Sequence, residues 1–131
     1  MYDKMSNGIK GVIVVEKYEK IIIGAWLYRL YSALNFTDSR SVYQFYNLGR
    51  LWNDIQTVLR EDIKLWHPAT EPVSAAEIYK YLSGEEFVNE LGGTPANYDY
   101  KTVHAEIFGG KNGYICDKGQ ILSEIKEFVG A

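Results

Sequence analysis

The first third of the chain is dominated by apolar positions. Residues 11–15, a Gly followed by Val-Ile-Val-Val, form a β-branched run that predicts a strand. Apolar side chains then recur at helical spacing over residues 17–34, as at Tyr18, Ile22 and Trp26. This predicted helix is apolar over most of its surface, which is typical of helices buried on several sides. Because a chain of 131 residues has little material to cover it, we expect part of it to face a partner.

The pattern next predicts a strand followed by a helix. Val42–Tyr46 alternates as a strand does, with Tyr43 and Phe45 on one face. A helix is predicted from Leu48 to Arg60, with Asp54 on its solvent-facing side. Its apolar stripe, expected to be buried, consists of Leu48, Leu51, Trp52, Ile55, Val58 and Leu59.

A second strand–helix pair follows. Ile63, Leu65 and His67 alternate on one face, which predicts a short strand ending at Pro68. Ser74-Ala-Ala-Glu77 has the residue types of a capping box, so a helix is predicted to begin there and to end at Ser83-Gly84. Its buried face is expected to comprise Ile78, Tyr81 and Leu82.

The last third predicts two more helices. Asp99 is placed to cap a helix through about Phe108, closed by Gly109-Gly110. Asp117, with Gln120 three residues later, is placed to start a final helix to about Val129 that buries Ile121, Ile125 and Phe128. The order of elements predicts a single α/β domain over residues 1–131, or α+β when isolated: small and helix-rich, with a few short strands.

Composition and charge exclude several classes of protein. Acidic side chains number 17 against 14 basic ones, a net charge of -3 that gives no electrostatic basis for nucleic-acid binding. The longest uncharged run near the N-terminus, Ile21–Tyr28, has eight residues, whereas a membrane-spanning helix needs about 20. A single cysteine, Cys116, cannot form an internal disulfide, so we expect a cytoplasmic protein. Aromatic residues reach 15%, 11 of them Tyr, a residue suited to the walls of clefts and interfaces.

No familiar catalytic or metal-binding motif stands out in the sequence. His67, His104 and Cys116 are not at ligand spacing from one another, so no metal site is predicted. The glycine-rich stretch at 109–113 follows a predicted helix, which favours a cap and turn over a phosphate loop. Tyr114 and Lys118 match the Y-x-x-x-K spacing of short-chain dehydrogenases, but Asp117 predicts a helix boundary between them, so the match is interpreted as chance.

The best polar and aromatic cluster is Gln44-Phe-Tyr-Asn47. It lies where a predicted strand leads into a helix, a place at which α/β proteins often bind ligands. The alternative interpretation is an ordinary strand–helix junction at which Asn47 caps the helix. Both interpretations remain open on the residues alone.

Residues 39–131 resemble the C-terminal part of the NAD-dependent epimerase/dehydratase family, the extended short-chain dehydrogenase/reductases. The stretch from Tyr43 to Trp52, YQFYNLGRLW, is similar to the family's R-D-F-I-H-V-D-D-L-A segment. The stretch from Lys64 to Glu77 is similar to its N-V-G-T-x-x-x-x-S-V-x-E segment, with the capping box in register. The order from Gly92-Gly-Thr-Pro through Phe108-Gly-Gly to the final helix is similar to the tail of a bacterial subgroup, whereas residues 1–38 match poorly.

The resemblance implies a two-lobed parent protein, whose N-terminal Rossmann lobe would bind NAD(P) and carry the catalytic residues. This chain has no glycine fingerprint, so it is expected to contain no cofactor site and to correspond to the substrate-binding lobe. The substrate-wall candidates are Tyr43, Gln44, Tyr46 and Asn47, with Asp38, Arg40 and the 17–34 helix as weaker ones. Tyr43 stands where the family often has a substrate-holding Arg, which weakens the expectation of a nucleotide-sugar diphosphate.

The sequence therefore supports two hypotheses for function. The first is a substrate-binding lobe that is not competent for hydride transfer alone and whose partners are a small-molecule substrate and the missing Rossmann lobe. The second is a free-standing interaction module that dimerises or docks through residues 17–34. Neither hypothesis involves nucleic acid or a membrane.

Overall fold

The computed structural model of the chain describes residues 34–130. The predicted strand at 11–15 and residues 17–33 of the predicted helix lie outside this range. Leu34, the last residue of that helix as predicted, begins a 3-10 turn that ends at Phe36. The elements below belong to the compact unit of the chain that begins at Asp38.

This unit combines helices with a small sheet, so the broad α+β prediction is confirmed. Two strands, β1 and β2, pair with each other, and the longest elements are three α-helices, α1 to α3, within the described residues. Two further 3-10 helices occupy Leu48–Arg50 and Ala105–Phe108. The bounds are β1 Val42–Tyr43, α1 Leu51–Arg60, β2 Val73–Ser74, α2 Ala75–Ser83 and α3 Lys118–Val129.

The sheet is antiparallel and very short. Val42 lies opposite Ser74, and Tyr43 opposite Val73. The strand predicted over Val42–Tyr46 was therefore too long, because the backbone stops pairing after Tyr43. Beyond Tyr43, the Gln44 side chain connects this segment to its neighbours by hydrogen bonds to the backbone of Thr70 and Tyr100.

The buried core lies between β2 and α3. Its fully enclosed apolar members are Val73, Ile115, Cys116 and Ile121. Half-buried aromatic rings surround them, among them Tyr46, Trp66 and Phe108. Tyr46 lies just before the 3-10 turn that leads into α1, and Ile121 lies on α3. The core therefore packs these two segments together, and they form the candidate site.

Helix α1 ends at Arg60 as predicted, but its first three predicted residues form a 3-10 turn, and its buried face differs in part from the predicted one. Ile55 and Val58 of the predicted stripe are half-buried, but Leu48 is 75% exposed, Trp52 66% and Leu59 72%, so the expected burial was wrong for these three residues. Asp54, predicted to face solvent, is buried. The reason is that Asp54 finds polar partners inside, so the helix can bury that side. We call the exposed apolar surface formed by Leu48, Leu51, Trp52 and Leu59 the α1 ridge.

The strand predicted over residues 63–67 is absent from the described structure, where this segment is irregular. Asp62, just before it, has a left-handed φ of 51°, which ends α1 with a sharp turn. Leu65 is 84% exposed, whereas Trp66 stacks on Phe108 with 4.9 Å between ring centroids. Burial does not alternate along this segment, because Ile63 and Trp66 are half-buried whereas Lys64, Leu65 and His67 are exposed.

Helix α2 confirms the predicted capping box. The Ser74 hydroxyl accepts a hydrogen bond from the Glu77 amide at 3.1 Å, and the Glu77 carboxylate accepts one from the Ser74 amide at 2.8 Å. Gly84 ends the helix with a left-handed φ of 79°. Tyr81, predicted to be buried, is 43% exposed, so that assignment was wrong.

The helix predicted from Asp99 to Phe108 was also wrong, since only Ala105–Phe108 is helical and as a 3-10 turn. Asp99 does not cap a helix, because its carboxylate accepts a hydrogen bond from the Tyr114 hydroxyl at 2.5 Å. The predicted stop at Gly109 is confirmed by its left-handed φ of 80°. Gly110 is required by close packing, since an added Cβ would lie 1.9 Å from the Tyr114 carbonyl oxygen.

Helix α3 begins as predicted, with the Asp117 carboxylate accepting a hydrogen bond from the Gln120 amide at 2.8 Å. Ile121 is buried and Ile125 half-buried, as expected. Phe128 is 64% exposed, so its predicted burial was wrong. The exposed ring lies at the end of a groove that α3 shares with the residues before α1.

Candidate functional site

A partly buried polar network connects the two segments that form the site. The Tyr46 hydroxyl donates to Asp54 Oδ2 at 2.6 Å, and Arg50 Nε lies 4.0 Å from the same oxygen. The Arg50 guanidinium also lies 3.8 Å from Glu124 Oε1 on α3 and donates to Cys116 Sγ. Arg50 thus contacts Asp54, four residues away, as well as Cys116 and Glu124 much later in the sequence, and it connects α3 to the 3-10 turn before α1.

The network sets the protonation state of its weak acids. Burial raises the pKa of the Tyr46 hydroxyl, and the hydrogen bond to Asp54 raises it further, so Tyr46 is a neutral donor at any ordinary pH. Burial also raises the pKa of the Cys116 thiol, although the Arg50 charge acts in the opposite direction. Both burial and the raised pKa disfavour the thiolate of Cys116, which is the reactive form of a cysteine.

A groove of about 550 Å³ runs along this network. One wall is the turn from Phe45 to Gly49, and the other is the face of α3 from Ile121 to Phe128. Most of the lining is apolar, and the charged side chains among it are two carboxylates on α3. The lining residues are Phe45, Tyr46, Asn47, Leu48, Gly49, Ile121, Glu124, Ile125, Glu127 and Phe128.

Asn47, one of the residues that line this groove, is held in place by capping. Its side-chain oxygen accepts a hydrogen bond from the Gly49 amide at 2.9 Å, which confirms the capping interpretation of the 44–47 cluster. Capping uses the oxygen and leaves the amide NH₂ of Asn47 without a hydrogen-bond partner among the described residues. Asn47 therefore caps a turn and lines a groove at once, so the two interpretations of the sequence are compatible.

A smaller cavity of about 380 Å³ lies on the other side of the same segment, beside Gln44, His67 and Tyr100. The Gln44 amide nitrogen donates to the carbonyl oxygens of Thr70 and Tyr100, and its oxygen accepts from the Tyr100 amide. His67 Nε2 lies 2.8 Å from the Lys101 carbonyl oxygen, to which it donates a hydrogen bond. The polar side-chain atoms of Gln44 and His67 therefore already bond to backbone groups.

The predicted wall residues therefore do not meet at one place. Tyr46 and Asn47 line the groove, while Gln44 lies in the smaller cavity. Tyr43 stacks on Tyr98, with 6.0 Å between ring centroids. Arg40 forms a two-pronged ion pair with Asp38, at 2.8 Å and 3.0 Å, and lines neither cavity.

The sequence analysis missed the other half of the groove. Glu124 and Glu127 lie on α3, far from the 44–47 cluster in sequence, and no local pattern links them to it. The Arg50–Asp54 spacing of four residues on a helix was a usable signal for the ion pair. It predicts the pair, but not that the pair faces inward.

The helix boundary predicted between Tyr114 and Lys118 is confirmed. Lys118 is the first residue of α3, and its ammonium group bonds to Glu77 at 2.6 Å. The hydrogen bond to Asp99 raises the pKa of Tyr114 to about 12. Tyr114 precedes the helix and bonds to Asp99, so the two side chains do not share a helix face.

Across residues 34–130, no cluster of three or more His, Cys, Asp or Glu side chains is arranged to hold a metal ion. None of the helices in that range has the length and apolar character needed to cross a membrane. Comparison with family models, curated proteins and solved structures found no match to this chain.

Proposed function

We propose that this chain is the substrate-binding lobe of an NAD(P)-dependent protein similar to the epimerase/dehydratases, with the groove as its substrate wall. The observation that carries the proposal is the position of Leu48. This residue lines the groove and also begins the exposed α1 ridge. A second lobe that covered the ridge would therefore border the groove and enclose what it holds.

The exposed ridge supports a missing partner surface. Trp52 and Leu59 are seven residues apart, so they lie on the same side of α1, and both are mostly exposed. Large apolar side chains that are grouped and exposed on one face of a helix usually indicate an interaction surface. In a two-lobed protein this face would be the one that packs against the Rossmann lobe.

The division of labour follows from the residues present. Tyr46 and Asn47 would orient the substrate against the groove, with Tyr46 held by Asp54. The other lobe would supply NAD(P) and the acid–base residues of hydride transfer. We expect the assembled protein to be cytoplasmic, as its single cysteine indicates.

The test is cofactor binding by the purified chain. Isothermal titration with NAD⁺ and with NADP⁺ should show no saturable heat, since the proposal assigns the cofactor to the other lobe. Saturable micromolar binding of either nucleotide would refute the proposal. Reading the genomic sequence upstream of Met1 adds a second test, because an in-frame β-α-β segment with a glycine fingerprint is expected there.

The α1 ridge also favours the second candidate, a module that associates with itself or with another protein. The residues to which the sequence analysis assigned this role, 17–34, lie outside the described residues except for Leu34. Multi-angle light scattering separates the candidates. A monomer at all concentrations argues against the module, whereas a tight dimer that the Trp52→Lys substitution dissociates supports it over the lobe.

A further inference from the structure

The charges along the groove restrict what it can bind. Glu124 and Glu127 both line it from α3, whereas no Lys or Arg side chain is among the lining residues of this groove. We propose that the groove binds a compact ligand with an apolar body and a protonated amine. This inference rests on the proposed function, because it names the substrate class of the same groove.

The apolar part of the ligand is specified by the walls. Phe45 and Leu48 lie on one side, and Ile121, Ile125 and Phe128 on the other. A volume of about 550 Å³ is within the range of small-molecule sites in proteins. Phe128 is 64% exposed, so a bound ligand would remove its ring from water and gain hydrophobic free energy.

The charged part is specified by the carboxylates. Glu127 is exposed and forms no ion pair within residues 34–130. Glu124 is 20% exposed, and its Oε1 atom lies 3.8 Å from the Arg50 guanidinium and accepts a hydrogen bond from Gln120 Nε2 at 3.0 Å, which leaves Oε2 without a partner among the described residues. An ammonium group placed between them would make charge-assisted hydrogen bonds, which are stronger than bonds between neutral groups.

Arg50 does not change the sign of the groove. Its guanidinium is committed to Asp54, Glu124 and Cys116, and it is not among the lining residues. A diphosphate in the groove would face two carboxylates without a cationic donor. Phosphate groups are usually held by Arg or Lys side chains or by helix N-termini, so a nucleotide diphosphate is a poor fit here.

The experiment uses three probes of one shape and different charge. These are 4-phenylbutylamine, 4-phenylbutan-1-ol and 4-phenylbutanoate, titrated into the full chain at pH 7 and low salt. Binding is followed by ¹H–¹⁵N NMR, with the amides of Tyr46, Asn47 and Ile125 as reporters of the groove. The amine is expected to bind about three- to five-fold more tightly than the alcohol, the range of one partly exposed charge contact, and the acid most weakly.

Variants assign the preference to the carboxylates. Glu127→Gln should remove most of the amine's advantage and leave the affinity for the alcohol unchanged, because it removes charge but keeps shape. Glu106→Gln is the matched control, since Glu106 is exposed and lies outside the groove. Raising the salt concentration should reduce the amine's advantage in the parent chain and not in Glu127→Gln.

The possible outcomes separate the two proposals. If the alcohol or the acid binds the groove as tightly as the amine, the ligand class is wrong and the substrate lobe stands. If none of the three shifts the groove amides, the inference fails and the groove loses its role as a substrate wall. NAD(P) binding is measured separately, so a failure of the lobe assignment is recognised independently.

Discussion

At the scale of single residues, Asp54 determines how α1 lies on the rest of the unit. A buried carboxylate is costly unless polar partners surround it, and here the Tyr46 hydroxyl and the Arg50 guanidinium do so. The partners make it possible for a charged residue to point inward. They also make the residue difficult to replace.

Asp54→Ala should lower the free energy of unfolding by about 2 kcal/mol, since it leaves the half-buried Tyr46 hydroxyl without its acceptor. The matched control is Asn53→Ala, one position earlier on the same helix and exposed. Both changes raise helix propensity by a similar amount, so their difference isolates the network. Urea denaturation measures the free energy of unfolding of each variant. Equal stability of the two variants would contradict the role assigned to Asp54 in the network.

Asp38 should make stability depend on acid. The hydrogen bonds that Arg40 donates hold the pKa of the Asp38 carboxyl well below its usual range, despite the opposing effect of burial. The unfolded chain therefore binds this proton first, so stability is complete above about pH 5 and is lost as the pH falls below about 4.

Asp38→Asn should flatten this part of the profile of urea midpoint against pH. Asp62→Asn is the control, because Asp62 is largely exposed and Asn also tolerates its left-handed backbone. If Asp38→Asn retains the full acid dependence of the parent chain, the ion pair with Arg40 is not its source.

At the scale of elements, the caps determine where the helices begin and end. Ser74 and Glu77 bond to each other's backbone amides, which satisfies two donors at the start of α2. Glu77 also receives the Lys118 ammonium at the start of α3. One glutamate therefore stabilises the first turn of α2 and ties it to the beginning of the next helix.

Ser74→Ala should destabilise the chain by about 1 kcal/mol, because the Glu77 amide loses its acceptor. Ser123→Ala provides the same chemical change at an exposed position inside α3 and should be neutral or slightly stabilising. Thermal unfolding of both variants decides between a specific cap and a general effect of losing a hydroxyl group.

Helix boundaries were predictable from sequence because their signals are local. The caps at Ser74 and Asp117 and the stops at Gly84 and Gly109 depend on residues within a few positions. The elements that were predicted wrongly depend on contacts between residues far apart in sequence. Residues 99–104 do not form a helix. In this segment the backbone of Tyr100 is hydrogen-bonded to the side chain of Gln44, 56 residues earlier.

The same limit applies to the candidate site. Tyr46 and Asn47 were selected because a strand–helix junction is a common place for ligands, and they do line the groove. Periodicity could not show that α1 buries Asp54, since a helical wheel records spacing and not which side has partners. Nor could it place Glu124 and Glu127 opposite Asn47, because this proximity exists only in the folded chain.

At the scale of the whole molecule, the unit has a small core and a large apolar surface. Its fully enclosed apolar side chains are few, whereas the α1 ridge presents several large ones to solvent. Solubility and association are therefore expected to depend on the ridge more than stability does.

Trp52→Lys should reduce the fluorescence of a bound apolar dye such as anilinonaphthalene sulfonate. It should change the free energy of unfolding by less than about 0.5 kcal/mol, because Trp52 is 66% exposed. Val103→Lys is the control, at a position that is 94% exposed and not part of the ridge. Unchanged dye binding in Trp52→Lys would show that the ridge is not the surface that the dye detects.

The hydrogen bonds of the Gln44 side chain affect the order in which parts of the protein can fold during synthesis. Its bonds close chain segments of 26 and 56 residues, to Thr70 and to Tyr100. During synthesis on the ribosome, Gln44 emerges long before its second partner, and closing so long a segment is slow. The smaller cavity therefore cannot assemble until most of the polypeptide has left the exit tunnel, and a nascent chain stalled before Tyr100 should lack it.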